Sequence, residues 1–191
     1  MQHRHFLIHK PIGTVCQFVP TAKRKKKLLG DFYDFPEGTM SVGRLDAHSE
    51  GLLVLTTDGK VSNNIRQKNI EKEYYVQLDG VITDDAIEEL KKGVDIPLKG
   101  KLFQTLPCKA TKNIDFDRIP PNPKKERGEQ HGEMSWLSVT LTEGKFRQVR
   151  KMCAVVGFPV IRLIRMRVDQ FELGDLTPGE VQEIEMLEKF I

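Results

Sequence analysis

Gly43-Arg44-Leu45-Asp46-Ala47-His48-Ser49-Glu50-Gly51-Leu52-Leu53-Val54-Leu55-Thr56-Thr57-Asp58-Gly59 sets an arginine and a carboxylate in a glycine-bounded loop that opens onto an apolar run. Leu52 to Thr56 reads as a buried strand, and Thr39 to Val42 as a strand on the other side of the loop. A charged pair at the mouth of a core strand is aimed by a rigid element, and such positions are where site chemistry tends to sit. Asp58 is placed to cap a short helix reaching about Gln67.

Upstream, Phe6 to His9 reads as a first strand, ended by the turn Lys10-Pro11-Ile12-Gly13. Val15 to Val19 resembles a second strand, and Pro20 to Gly30 a basic loop. Downstream, Tyr74 to Leu78 is strand-like. Thr83 to Lys92 carries the clearest helix signals: a capping Thr83 or Asp84, acidic first turns, Lys91-Lys92 at the end and Gly93 to stop it. Lys101 to Lys109 reads as another strand. Residues 112–134 are rich in Pro, Lys, Glu and Gly and read as a surface insertion. Trp136 to Thr142 alternates apolar and hydroxyl residues as a half-buried strand does. Phe146 to Val156 is helical, followed by strands at Val160 to Val168, Gln170 to Leu173 and Val181 to Ile184. Many strands with few helices predict an α+β protein with a mixed, mainly antiparallel central sheet.

The chain has 191 residues, 39% hydrophobic and 30% charged, enough for a substantial core. No apolar run approaches the roughly 20 residues of a membrane helix, and no signal-peptide pattern opens the chain. Cys16, Cys108 and Cys153 are odd in number and widely spaced, which argues against a disulfide framework and for a reducing cytoplasm. The net charge of +3 hides segregation. Basic runs stand at Lys23 to Lys27, at Lys124-Lys125 with Arg127, at Lys145, Arg147, Arg150 and Lys151, and at Arg162, Arg165 and Arg167. The segment after Val168 is acidic. Any one run is an ordinary solvated face; four together favour a polyanionic partner, with no membrane role.

On the Phe146–Val156 helix Val149, Met152, Cys153 and Val156 share the core face, Arg147 and Lys151 the outer one, and Arg150 the margin between them. A marginal guanidinium seeks a carboxylate, although a plain surface-edge salt bridge serves equally well. Asp46 has a bland alternative too, since loop aspartates often bond nearby backbone N–H groups. Arg44 reads as a phosphate contact or an intraloop ion pair. Tyr74 and Tyr75 are adjacent on a strand and point to opposite faces. His3, His5 and His9 alternate on an extended segment but lack a ligand-spaced carboxylate or cysteine. No phosphate loop, dinucleotide fingerprint or nucleophile elbow is present, so no metal and no cofactor are expected.

Four blocks together, Lys10-Pro11-x-Gly13, Gly43-Arg44-Leu45-Asp46 through Asp58-Gly59, Lys72-x-Tyr74-x-Val76 and Glu143-Gly144-Lys145-Phe146-Arg147-Gln148-Val149-Arg150-Lys151-Met152, resemble the RsuA-type pseudouridine synthases from about Phe6 to Ile184. The resemblance implies one catalytic domain over residues 1–191, built of two sheet-sharing subdomains. A first strand at residue 6 implies that the N-terminal S4 module of many relatives is not expected here, and with the insertion before Trp136 the chain is similar to the RluE subgroup, which modifies bacterial large-subunit ribosomal RNA. Implied catalytic residues are Asp46 as the essential carboxylate, Tyr74 as the active-site tyrosine and Arg150 as the cation pairing with Asp46. Arg44, Lys10, Lys145, Arg147 and Lys151 are the implied RNA-binding residues, and Leu163 the apolar residue beside the tyrosine. Ser49 stands where threonine is more usual. The implied partner is large-subunit ribosomal RNA or an assembly intermediate, and the implied state a cytoplasmic monomer. Two other classes fit parts of the pattern: a non-catalytic RNA-binding module, and a metal-dependent RNA-cleaving enzyme using His5, His9 and Asp46.

Overall fold

The computed structural model describes residues 2–19, 26–67, 69–122 and 132–185. In chain order these form β1 (His5–Lys10), β2 (Met40–Ser41), β3 (Glu50–Thr56), α1 (Gly59–Gln67), β4 (Lys72–Asp79), α2 (Asp84–Lys92), β5 (Asp95–Leu98), β6 (Lys101–Gln104), β7 (Lys109–Thr111), β8 (Met134–Leu141), α3 (Gln148–Val155), β9 (Val160–Val168), β10 (Phe171–Glu172) and β11 (Val181–Ile184). The class is α+β, with a mixed sheet and three helices among the described residues. The chain divides into two compact units, Met1–Ile70 with Arg165–Ile191, and Glu71–Ile164.

In the first unit β1 lies between β11 and β3, antiparallel to both. The register Phe6↔Leu55 and Ile8↔Leu53 gathers these side chains with Leu29 into a core, against which Cys16, Phe18, Phe32, Phe35 and Val181 pack. Each such fully buried side chain contributes on the order of 1.5–3 kcal/mol. Asp58 caps α1 as its position predicts, its carboxylate accepting from Lys60 N at 2.8 Å and Val61 N at 3.3 Å.

Val15 to Val19 is not a strand. Val15 N–H donates to Lys27 O and Gln17 N–H to Val15 O, so the backbone bonds of this stretch go to a facing loop and to itself instead of a ladder. Its alternation is real, but it serves to turn Cys16 and Phe18 onto the core. Of the first basic run, Lys26 and Lys27 are described, and residues 23–25 lie outside the described residues.

In the second unit β8 is flanked by β4 and β7, both antiparallel, with β4 paired along its whole length from Lys72↔Leu141 to Asp79↔Met134. Val76, Leu78, Leu137, Val139 and Leu141 of this sheet meet Ala86, Ile87 and Leu90 of α2 and Val149, Met152 and Cys153 of α3. Thr83 caps α2 by accepting from Ala86 N at 3.2 Å.

The expected strand Lys101 to Lys109 is broken in two. β6 pairs back on β5 in a hairpin, and β7 joins β8. Between them Thr105 N–H donates to Val94 O, Thr105 Oγ1 accepts from Val94 N–H, and Pro107 has no N–H with which to continue a ladder. β5 itself was masked in the sequence by Pro97, a residue that demotes a strand to an edge. Between β7 and β8, in the expected insertion, Asp115 caps a 3-10 turn at Phe116–Arg118. Residues 123–131, with Lys124, Lys125 and Arg127, lie outside the described residues.

Candidate active site

Asp46, Arg44 and Lys10 belong to the first unit; Tyr74, Leu163, Arg150, Lys145, Arg147 and Lys151 belong to the second. In the first unit the loop between β2 and β3 leaves the sheet after Val42, whose N–H still bonds Val54 O at 2.8 Å. Arg44 is exposed, Leu45 buried and Asp46 half-buried, followed by exposed His48 and buried Ser49 and Glu50. Three successive carbonyls along this loop each have a donor. Leu45 O accepts from the Cys16 thiol at 3.2 Å, Asp46 O from Ser49 N–H at 3.0 Å and Ala47 O from Gly13 N–H at 2.6 Å. Gly13 reaches this position with φ +87°, a backbone state that costs glycine nothing.

Lys10 has no exposed surface, and its ammonium donates to Pro11 O at 2.9 Å and Thr14 O at 2.8 Å. Burial pulls its pKa from 10.5 down to about 8; Arg165 acts in the same direction, while Cys16, Glu50 and Asp46 oppose it. Lys10, implied by the resemblance as an RNA contact, stands here as a buried cation on main-chain carbonyls. A charge sealed from solvent and spent on two main-chain carbonyls closes the turn after β1. Arg165 is likewise buried, donating from Nε to Leu52 O at 2.7 Å. Neither cation's burial was legible in the sequence.

In the second unit Tyr74, opposite Val139 on β8, is partly buried against the core that includes Leu163. Tyr75 points the other way, is buried, and accepts from Asp115 N–H at 3.4 Å through its hydroxyl. The adjacent tyrosines thus take opposite faces, as strand geometry requires. Arg150 is half-buried at the margin of α3 and donates from Nη1 to Val160 O at 3.2 Å. Helix α3 starts at Gln148 rather than Phe146, because Arg147 sits in the left-handed region with φ +52°. Lys151 bonds Pro97 O at 2.7 Å and lies 5.4 Å from the Phe146 ring centroid; exposed Lys145 lies 4.7 Å from that of Phe103.

Gln148, unremarked in the sequence reading, organises this corner. Buried, it donates to Glu143 Oε1 at 2.6 Å and accepts from Lys145 N–H at 2.8 Å, while the same carboxylate oxygen accepts from Leu106 N–H. The signal available was a glycine turn flanked by Glu and Gln five residues apart. The histidines have local partners: His5 Nδ1 is 2.8 Å from Thr56 Oγ1, and His9 Nδ1 2.7 Å from Leu176 O. Among the described residues no three His, Cys, Asp or Glu side chains converge as a metal site.

A family model described as RNA pseudouridylate synthase matches residues 4–155. This chain belongs to that family, and so is an RNA pseudouridine synthase, an isomerase. It is 38% identical over 189 residues to the ribosomal large subunit pseudouridine synthase E of Vibrio parahaemolyticus, covering 97% of this chain and 76% of that protein. With the protein of the same description from Xanthomonas campestris it shares 35% identity over 179 residues, 91% of each chain. A crystal structure described as a pseudouridylate synthase, 26% identical, matches with a TM-score of 0.74 over 96% of this chain and 70% of that one.

Proposed function

We propose that this enzyme converts a specific uridine of bacterial large-subunit ribosomal RNA to pseudouridine, with Asp46 as the essential carboxylate. The observation that carries the reading is the similarity, over nearly the whole chain, to relatives described as large-subunit pseudouridine synthase E. The architecture of the Asp46 loop supports it, since a half-buried carboxylate on a fixed main chain is what precise attack requires.

The isomerisation breaks the N-glycosidic bond, turns the uracil and joins its C5 to the same ribose carbon, releasing the C5 hydrogen as a proton. No electrons are exchanged with a partner, so side chains suffice. The Asp46 carboxylate starts glycosidic cleavage, and Arg150 is the cation that the family resemblance pairs with it. Tyr74 stacks on the detached uracil, with Leu163 supplying apolar contact. Extruding the target base costs a few kcal/mol, offset by phosphate contacts from Arg44, Lys145, Arg147 and Lys151. The substrate is ribosomal RNA or an assembly particle, and the working form a cytoplasmic monomer.

Tritium release from 5-tritiated uridine in large-subunit RNA tests this. Asp46→Asn should release none while still binding RNA, and Arg150→Ala should lose rate far more than affinity. Substantial turnover by Asp46→Asn removes Asp46 from its role, and absence of tritium release by the wild type on ribosomal RNA or particles removes the substrate.

A further inference from the structure

Leu45, the residue before Asp46, has its main-chain polar groups held by a thiol. Leu45 N–H donates to Cys16 Sγ at 3.2 Å, and the Cys16 S–H donates to Leu45 O at 3.2 Å. Leu45 lies in the loop between β2 and β3, outside any ladder, and is buried. Buried main-chain groups in such a place need partners, and here one side chain supplies both. Cys16 suits this because a thiol is at once a weak donor and a weak acceptor. Its position is fixed in turn, since it packs against the core of Phe6, Ile8, Leu29, Leu53 and Leu55.

The consequence falls on Asp46. The Leu45 carbonyl belongs to the peptide plane that enters Asp46, and the Asp46 carbonyl to the plane that leaves it. The thiol holds the first plane and Ser49 N–H the second, while Gly13 N–H holds the next through Ala47 O. With both planes set, the direction of the Asp46 Cα–Cβ bond is set, and the side-chain rotations alone remain to aim the carboxylate. Gly13 and Cys16 lie on one short segment after β1, so that segment grips the loop on either side of Asp46.

We propose that Cys16 is a positioning residue for the reaction, anchoring the core to the peptide plane that carries the catalytic carboxylate. It touches no reacting atom and acts through Leu45. The inference rests on Asp46 being the catalytic carboxylate.

The test compares Cys16→Val, which keeps the bulk and removes the bonds, with Cys16→Ser, which keeps a donor and acceptor on a shorter arm. Cys16→Ala serves if the valine variant does not fold. Each is assayed for single-turnover tritium release, RNA affinity and thermal unfolding, beside Asp46→Asn. Misplacing a catalytic group by about 1 Å costs on the order of 100-fold in rate, so Cys16→Val or Cys16→Ala should lose about 10- to 100-fold in single-turnover rate. RNA affinity should stay unchanged in these variants, and Cys16→Ser should recover most of the rate. Wild-type rate in Cys16→Val or Cys16→Ala overturns the proposal. So does a rate loss that follows the folded fraction or the RNA affinity, or a serine variant as slow as valine at equal stability. An active Asp46→Asn instead overturns the assignment of Asp46, so the two failures are distinguishable.

Discussion

Lys10 offers a sharp test of the buried architecture beside Asp46. Its ammonium is wholly enclosed, and burial pulls its pKa from 10.5 to about 8. The unfolded chain therefore holds this proton to higher pH than the folded protein does, and stability rises with pH across the interval between the two values. Over the full interval the effect is about 3 kcal/mol, and between pH 7 and pH 9.5 it is about 2 kcal/mol. Lys10→Met removes the titration while keeping a long apolar stem, at the cost of the bonds to Pro11 O and Thr14 O. Urea unfolding of both proteins at pH 7 and pH 9.5 isolates the group, because the other ionisations largely cancel in the difference. Wild type should gain about 2 kcal/mol on the variant as pH rises. A difference that does not change with pH would mean that Lys10 is not held in a depressed state. A wild type that loses ground to the variant would mean that its charge is stabilised by the fold, reversing the sign of the reasoning.

Gly51→Ala should be severe, since an added Cβ would lie 2.4 Å from Arg165 O and 2.5 Å from Arg165 N at a backbone φ of +108°. A loss of about 3 kcal/mol or more, seen as a large fall in Tm, is expected from overpacking combined with a forbidden backbone state. Thr83→Ala removes the cap on α2 and should cost about 1 kcal/mol in urea unfolding, with catalytic rate unchanged. Burial pushes the Cys108 thiol up to about 11 and Cys153 up to about 12. At pH 8 both should react slowly with a thiol reagent in the native state and rapidly in denaturant, because the thiolate is the attacking form. Fast native labelling of either, located by mass spectrometry, would contradict their burial.

The sequence alone determined those elements whose signals are local. The cap and terminating glycine of α2, the apolar run of β3, the alternation of β8 and the carboxylate before α1 each state their structure within a few residues. So does the separation of Tyr74 from Tyr75, because successive strand side chains alternate. The motif blocks likewise carried the family, with Asp46 and Arg44 in one loop. Tertiary structure alone decided the division of Lys101 to Lys109, where Thr105 finds Val94 and not the next rung. It alone turned Val15 to Val19 from a strand into a bend. It also enclosed Lys10, which the resemblance implied as an RNA contact, and Arg165, which stands in a basic run, and brought Cys16 against the main chain of Leu45. The physical reason is common to all four. Local propensity and periodicity report what a segment favours, whereas hydrogen-bond satisfaction and burial depend on which distant segment arrives opposite it.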